Sequence, residues 1–328
     1  MVPFLLLTEE HVRSVLPMTD LIACMESALA RFSSGEVLQP VRTVLQVGAQ
    51  KAYYGLMPAY VDQPPTMGAK IVTVFGSNAE RGLPTHLAMI VLLDPETGAL
   101  QALMDGRYIT EARTAAVSAV SVRHLARADA STLALIGTGV QARGHLEALR
   151  EVRALRDVRV WSPKPASRDR FVDEMQPHAG VPLRATATAE EAVRGAGLVV
   201  LATSSPTPVV EVSWIAPGSH IVSVGASRPD QREMAPELTA RGRLFVDSRA
   251  GALAESGDIV MGMAERRFNA DHLAGELGEL VLGRVRGRQS DDEITIFKSL
   301  GMAIEDVAAA DLVFRRAIEA GVGSRQVL

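Results

Sequence analysis

Three cations stand in surroundings that disfavour charge. Arg42 falls in an apolar segment read as a strand. Lys70 lies in Met67-Gly-Ala-Lys-Ile-Val-Thr-Val-Phe75, and Arg113 lies on an otherwise apolar helix, Ile109-Thr-Glu-Ala-Arg-Thr-Ala-Ala116. A cation among apolar neighbours is costly unless it is paired. For any one of them a structural salt bridge, or a side chain that reaches out to solvent, is the ordinary explanation. Three together fit an anionic substrate, and the planar fork of arginine matches both oxygens of a carboxylate.

A second group carries different chemistry. The run Thr132-Leu-Ala-Leu-Ile-Gly137-Thr138-Gly139-Val140-Gln141-Ala142 reads as an apolar strand, a glycine-rich turn and the start of a helix. Gly137 permits the tight turn, Gly139 lets the backbone approach a pyrophosphate, and Ala142 allows helix to pack closely on strand. The helix N-terminus then turns N–H groups and a positive dipole end towards phosphates. A purely structural glycine turn is the alternative. Against it stand the strand before, the helix after, and the train of strand–helix units that follows. The residues after the second strand bear on the cofactor. An NAD enzyme places Asp or Glu there to accept from the ribose 2′-hydroxyl. This chain reads Val160-Trp-Ser162-Pro-Lys164-Pro-Ala-Ser-Arg168, with no carboxylate before Asp169. Ser162, Lys164 and Arg168 suit a 2′-phosphate through charge-assisted bonds, unless the segment is simply a solvated basic loop. NADPH is the expected cofactor, with NADH second.

Two kinds of architecture are needed to hold these groups. Phe4–Leu7 reads as a short strand, Thr8 with Glu9 and Glu10 caps a short helix, and Thr19-Asp20 starts a longer one to about Ser33. Strands follow at about 41–47, 52–60, 68–75, 87–93 and 99–104, separated by turn chemistry such as Asp62-Gln-Pro-Pro65 and Asp94-Pro-Glu-Thr-Gly98. Short links between consecutive strands predict an antiparallel or mixed sheet, so this first part is α+β. An alanine-rich helix spans 107–127. Short apolar strands then alternate with helices: Thr132–Ile136, Val158–Trp161, Leu198–Ala202, His220–Val224 and Leu244–Val246. That alternation predicts a parallel sheet covered on both faces. A long helix from Gly301 to about Ala320 is expected to return to the first domain, the parallel sheet being complete by Phe297.

The bulk properties exclude several classes. At 328 residues, 47% hydrophobic and 22% charged, the chain fits a soluble globular protein of two domains. A formal net charge of −4 with scattered basic residues argues against nucleic acid or an anionic membrane as partner. Cys24 is the only cysteine, so no intrachain disulfide can form and a reducing compartment is expected. The N-terminus lacks a basic segment and a signal-length apolar run, and no stretch approaches the ~20 apolar residues of a membrane span. A cytoplasmic protein is expected. The seven histidines are well separated, and no metal site is expected.

Taken in order, Arg42, Gly68-Ala-Lys70, Phe75-Gly-Ser-Asn78, Gly82-Leu-Pro-Thr-His86, Ile109-Thr-Glu-Ala-Arg113, Gly137-Thr-Gly139-Val-Gln-Ala142, Val224-Gly-Ala-Ser227-Arg-Pro229, Asp247-Ser-Arg249, Glu255-Ser-Gly-Asp258 and Ile296-Phe-Lys298-Ser-Leu-Gly301 resemble the ornithine cyclodeaminase/mu-crystallin family over nearly the whole chain. The resemblance implies a substrate-binding and dimerisation domain over 1–115, completed by 301–328, a Rossmann domain over 116–300, and a homodimer. It also implies that Arg42, Lys70 and Arg113 hold a substrate carboxylate beside the nicotinamide. Thr85, His86, Thr110, Thr203 and Ser227 then become candidates for lining the cofactor site, although His86 reads equally well as a half-buried strand histidine.

One departure selects a branch. Cyclodeaminases carry an aspartate in a Gly-Gly-Asp-Cys-Pro-like segment, whereas Ser227 occupies that place in Gly225-Ala-Ser-Arg-Pro229. The wording is closer to mu-crystallin and the ketimine reductases, which use NAD(P)H on cyclic imines such as Δ1-pyrroline-2-carboxylate and Δ1-piperideine-2-carboxylate. Under that resemblance Arg42 and Arg113 clamp the carboxylate and Lys70 relays the proton to the ring nitrogen. The alternatives are an alanine-dehydrogenase-like amino-acid dehydrogenase, an ornithine cyclodeaminase, and a crystallin-like binding protein without turnover.

Overall fold

The computed structural model describes residues 2–48 and 52–328. The chain divides into two compact units, Met1–Arg113 with Gly301–Leu328, and Thr114–Leu300.

The first unit opens with β1 (Pro3–Leu7), α1 (Glu9–Val15) and α2 (Met18–Ser34). Thr8 caps α1 as its type suggests: its hydroxyl accepts from the His11 amide at 3.4 Å. The His11 ring accepts from the Thr8 amide at 3.2 Å, taking the place usually held by Glu in a capping box. α2 starts earlier than Thr19-Asp20 suggested, because Pro17 stands at its N-cap with φ already near the helical value. Leu21, Ile22, Met25, Ala28 and Leu29 give α2 one buried stripe.

Strands β2 (Val37–Leu38), β3 (Thr43–Val47), β4 (Ala52–Val61), β5 (Thr66–Val74), β6 (His86–Leu93) and β7 (Leu100–Asp105) follow. The sheet runs Ser324–Val327, β1, β7, β6, β5, β4, β2, with β3 also on β4. Only the β1–β7 pair is parallel among these described strands. The mixed sheet expected from the short links is therefore present. Its C-terminal strand, Ser324-Arg-Gln-Val327, is polar and exposed and carries no alternating pattern to betray it. The helix Ala303–Ala320 lies on β4, β5 and β6, with α1 and α2 packed against it.

Register then sorts the side chains. Met57, Lys70 and Ile90 are aligned across β4–β6 and buried on the helix-covered side. The rows Leu56–Ile71–Met89 and Leu45–Tyr54–Thr73–Leu87 occupy the opposite side, where Leu45 is 55% and Met89 47% exposed. One expectation needs correction here. Arg42 lies outside any strand, immediately before β3, and every residue of β3 is exposed. Its apolar neighbours in sequence are on an edge strand, not in a core.

In the second unit α3 (Arg107–Leu125), which begins in the first, leads into β8 (Thr132–Ile136), α4 (Val140–Val152), β9 (Asp157–Trp161), α5 (Pro165–Ala179), β10 (Leu183–Ala185), β11 (Leu198–Leu201), β12 (His220–Ser223), β13 (Arg243–Val246), β14 (Leu273–Glu276) and β15 (Thr295–Lys298). All eight strands are parallel, in the order β10-β9-β8-β11-β12-β15-β13-β14. This is the Rossmann-type α/β sheet expected from the sequence, with its order reversing between β8 and β11. The strands expected from the sequence did not include β15, which fills the gap between β12 and β13. Thr295 and Lys298 break its apolar run, yet both are fully buried. The long helix begins accordingly at Ala303, two residues later than expected.

Candidate functional site

In the first unit, β5, α3 and the helix Ala303–Ala320 bring four charged side chains together. Lys70 Nζ stands 2.6 Å from Asp306 Oδ2. Arg113 donates from Nε to Asp306 Oδ1 at 2.9 Å and from Nη1 to Glu305 Oε2 at 2.5 Å. All four side chains are at most 5% exposed. The structural ion pair weighed for a lone cation is thus present for both Lys70 and Arg113. Arg42 is near enough for its charge to act on Lys70. The formal charges of Lys70, Arg113, Arg42, Glu305 and Asp306 sum to one positive charge.

The electrostatics follow from this crowding. Burial lowers the Lys70 pKa to about 8; Asp306 opposes the shift, and Arg113 and Arg42 add to it. Burial works against ionisation of Asp306, but Arg113 and Lys70 outweigh it and hold its pKa below the ordinary value. His86, on the same face of the sheet as Lys70, is lowered to about 4 by burial and then by Lys70 and Arg113. It is a neutral imidazole at physiological pH. Thr85 is exposed and its carbonyl accepts from the Phe75 amide at 2.8 Å. The half-buried Thr110 donates its hydroxyl to the Gly106 carbonyl at 2.7 Å.

Gly301 backs the Arg113 guanidinium. A Cβ there would stand 2.6 Å from Nη2 and 2.9 Å from Cζ, and the residue has φ +80°. Both features require glycine.

Glu305 and Asp306 were not singled out from sequence. Acids in a first helical turn are commonplace because they complement the helix dipole. The available signal was their place between Ile304 and Val307, in a stripe that is otherwise buried and apolar.

The second unit shapes a cradle at the β8–α4 turn. Gly137 has φ +121°, and a Cβ there would overlap the Ala202 carbonyl. Its amide donates to the Trp161 carbonyl at 2.8 Å, joining the β8 and β9 loops. Gly139 caps α4, with nothing within 4 Å of where a Cβ would be. Val140, beside it, is 53% exposed. Thr138 offers its carbonyl to Arg143 Nη1 at 2.7 Å, and Gln141 Oε1 is buried without a hydrogen-bond partner among the described residues. An open, glycine-lined helix start with an orphaned polar atom fits the phosphates and ribose of a dinucleotide.

The loop after β9 is less uniform than its sequence. Ser162 is buried, and Lys164 is exposed at the N-cap of α5. Arg168 donates from Nη1 to the carbonyls of Thr186 and Ala187, at 2.6 and 2.8 Å. That guanidinium braces the neighbouring loop through Nη1. Thr203 is half-buried after β11, and Ser227 is exposed after β12. Among the described residues no helix is long and apolar enough to cross a membrane, and no three His, Cys, Asp or Glu gather to hold a metal ion.

Comparison with known proteins bears on all of this. The model of the "Ornithine cyclodeaminase/mu-crystallin family" matches residues 3–321. The ketimine reductase mu-crystallin of Rattus norvegicus is 39% identical over 309 residues, 93% of this chain and 94% of its own length. A Delta(1)-pyrroline-2-carboxylate reductase of Bacillus cereus is 35% identical over 98% of this chain and 99% of its own. The structure of the Thermococcus litoralis Delta(1)-pyrroline-2-carboxylate reductase in complex with NADH and L-proline superposes with a TM-score of 0.96 at 38% identity, covering 99% of this chain and 100% of that one. With nearly its full length matched by one family model and by relatives of such identity, the chain belongs to the ornithine cyclodeaminase/mu-crystallin family.

Proposed function

We propose that the protein is an NAD(P)H-dependent reductase of cyclic ketimines, converting Δ1-pyrroline-2-carboxylate or Δ1-piperideine-2-carboxylate to L-proline or L-pipecolate. The observation that carries the reading is the buried cluster of Lys70, Arg113, Glu305 and Asp306, formally neutral by itself, with the Arg42 charge close enough to act on Lys70. A cyclic imino acid supplies the complement: one carboxylate beside a C=N bond that accepts a proton. The activities of the rat, Bacillus cereus and Thermococcus litoralis relatives support it.

Arg113 and Arg42 hold the substrate carboxylate, fixing C2 of the ring in one orientation. With a pKa of about 8, Lys70 is mostly protonated at neutral pH yet yields its proton readily. It delivers that proton to the ring nitrogen, which keeps it in the amine product. Asp306 holds the Lys70 ammonium and the Arg113 guanidinium in register. His86 stays neutral, so it adds no charge to compete for the carboxylate. The bound nicotinamide supplies the hydride. Gly137, Thr138, Gly139, Val140 and Gln141 receive its phosphates, Ser162 and Lys164 favour NADPH over NADH, and Thr203 and Ser227 take the nicotinamide half. The exposed apolar rows on β3–β6 suit a second copy of the chain, and we read the protein as a homodimer.

NADPH oxidation in the presence of each imine tests the reading, with ornithine plus NAD⁺ and pyruvate plus ammonia and NADH run beside it. Turnover of a cyclic imine well above both others is expected. Efficient formation of proline and ammonia from ornithine, or of alanine from pyruvate, would overturn it.

A further inference from the structure

A buried carboxylate in the second unit has drawn five hydrogen bonds to itself. Glu233 Oε1 accepts from the Thr203 amide at 2.7 Å and the Thr203 hydroxyl at 2.8 Å. Oε2 accepts from the Gly225 amide at 2.7 Å, the Ala226 amide at 3.3 Å and the Ser223 hydroxyl at 3.1 Å. One side chain thus ties the loop after β11 to the loop after β12. Behind it, Asp258 Oδ1 accepts from the amides of Glu233 and Met234, both at 2.9 Å. Asp258 Oδ2 pairs with Lys298 Nζ at 3.0 Å, and Lys298 also donates to the Ser223 hydroxyl at 3.1 Å. Glu233 and Lys298 are fully buried and Asp258 is 2% exposed.

Burial pushes the Glu233 carboxyl up, but all five of its partners donate to it, which suits a carboxylate. Two carboxylates and one ammonium are an expensive way to join two loops, since each buried ion forfeits much of its hydration. A neutral side chain would close the same loops with less penalty. What a charged hub adds is rigidity, because five charge-assisted bonds converge on one small group.

The sheet order says what needs to be rigid. A dinucleotide binds across the reversal of strand order, its two halves on opposite sides. The reversal lies between β8 and β11. The glycine turn after β8 and the loop after β9 take the adenosine half, which leaves the loops after β11 and β12 for the nicotinamide half. We propose that Glu233 is a positioning residue for the cofactor, fixing the Thr203 and Gly225–Ser227 loops in the shape that receives the nicotinamide half, with Asp258 and Lys298 holding Glu233 in place. The inference rests on the dinucleotide reading above and is independent of which imine is reduced.

The test separates the two halves of the cofactor. Glu233→Gln keeps the shape of the side chain but turns an NH₂ group towards amide donors. Fluorescence and calorimetric titration should then show NADPH binding weakened by about tenfold, the usual scale for disturbing a hydrogen bond to a charged group. Binding of 2′-phospho-ADP-ribose, which lacks nicotinamide, should stay within about twofold of wild type. Equal loss for both ligands, or loss for neither, overturns the proposal. Should Glu233→Gln fail to fold, Ser223→Ala removes one donor and leaves the carboxylate, and the same selective loss, about threefold, is expected of it. An equal effect of Ser223→Ala on both ligands overturns the proposal too. A wild-type chain that binds neither ligand refutes the dinucleotide reading itself.

Discussion

Placing a methyl group at Gly301 perturbs the proposed carboxylate clamp without replacing a charged residue. The added Cβ of Gly301→Ala would lie 2.6 Å from Arg113 Nη2 and 2.9 Å from Cζ. Ordinary contact needs about 3.5 Å, so the guanidinium has to shift by roughly 1 Å. It cannot do so freely, because Nε and Nη1 are engaged with Asp306 at 2.9 Å and Glu305 at 2.5 Å. Alanine at φ +80° adds a backbone strain of about 1–2 kcal/mol. That strain lowers Tm by only a few degrees in a protein of this size. A misplacement of about 1 Å at a reacting site, in contrast, costs roughly 10²-fold in rate. Steady-state assays on the best cyclic imine should therefore show kcat/KM about 100-fold down, equivalent to about 2.7 kcal/mol of barrier. NADPH affinity measured by titration should be unchanged. If Arg113 serves stability alone, Gly301→Ala will lower Tm and leave turnover near wild type at a permissive temperature. That result would refute the clamp.

Two further outcomes follow from the titrating groups. With Lys70 proposed to donate as the ammonium, kcat/KM for imine reduction should fall as pH rises through about 8, and a pH profile of Lys70→Arg should lose that limb; an unchanged profile would remove Lys70 as the proton source. Burial lowers His86 and His145 to about 4 and His220 to about 3, so the unfolded chain binds more protons than the folded one below the ordinary histidine value of 6.5. Stability from these groups is complete above pH 6.5 and is lost as pH falls towards 4, which thermal melts across that window would register as a falling Tm.

The sequence was most legible where local pattern and tertiary setting agree. Thr132–Ile136 was read to the residue because an apolar run bounded by a glycine turn admits one interpretation. Lys70 and Arg113 stood out for the same reason: charge on a buried stripe is anomalous without a partner. The partners were missed because Glu305 and Asp306 lie some 190 residues from Arg113 and mimic ordinary helix-start acids. Arg42 was misplaced because an exposed edge strand can be as apolar as a buried one. Thr295-Ile-Phe-Lys298 was overlooked as a strand because its charged end reads as surface, and only the Asp258 pairing explains how it is buried. Arg168 shows the remaining limit: composition marks a basic loop, but not which carbonyls its guanidinium will claim.

The first unit is assembled from two stretches of chain with the whole of the second unit between them, and this orders events during synthesis. Lys70 and Arg113 leave the ribosome long before Glu305 and Asp306, with the whole of the second unit made in between. Until Glu305 and Asp306 emerge, the nascent first unit has two cations destined for its interior without the counter-charges that these acids supply. It also lacks the strand that covers the β1 edge. Such a chain cannot settle into its final packing, and an open strand edge leaves it prone to association. A polypeptide terminated before Gly301 would therefore carry a complete cofactor-type sheet and an unfinished, aggregation-prone partner.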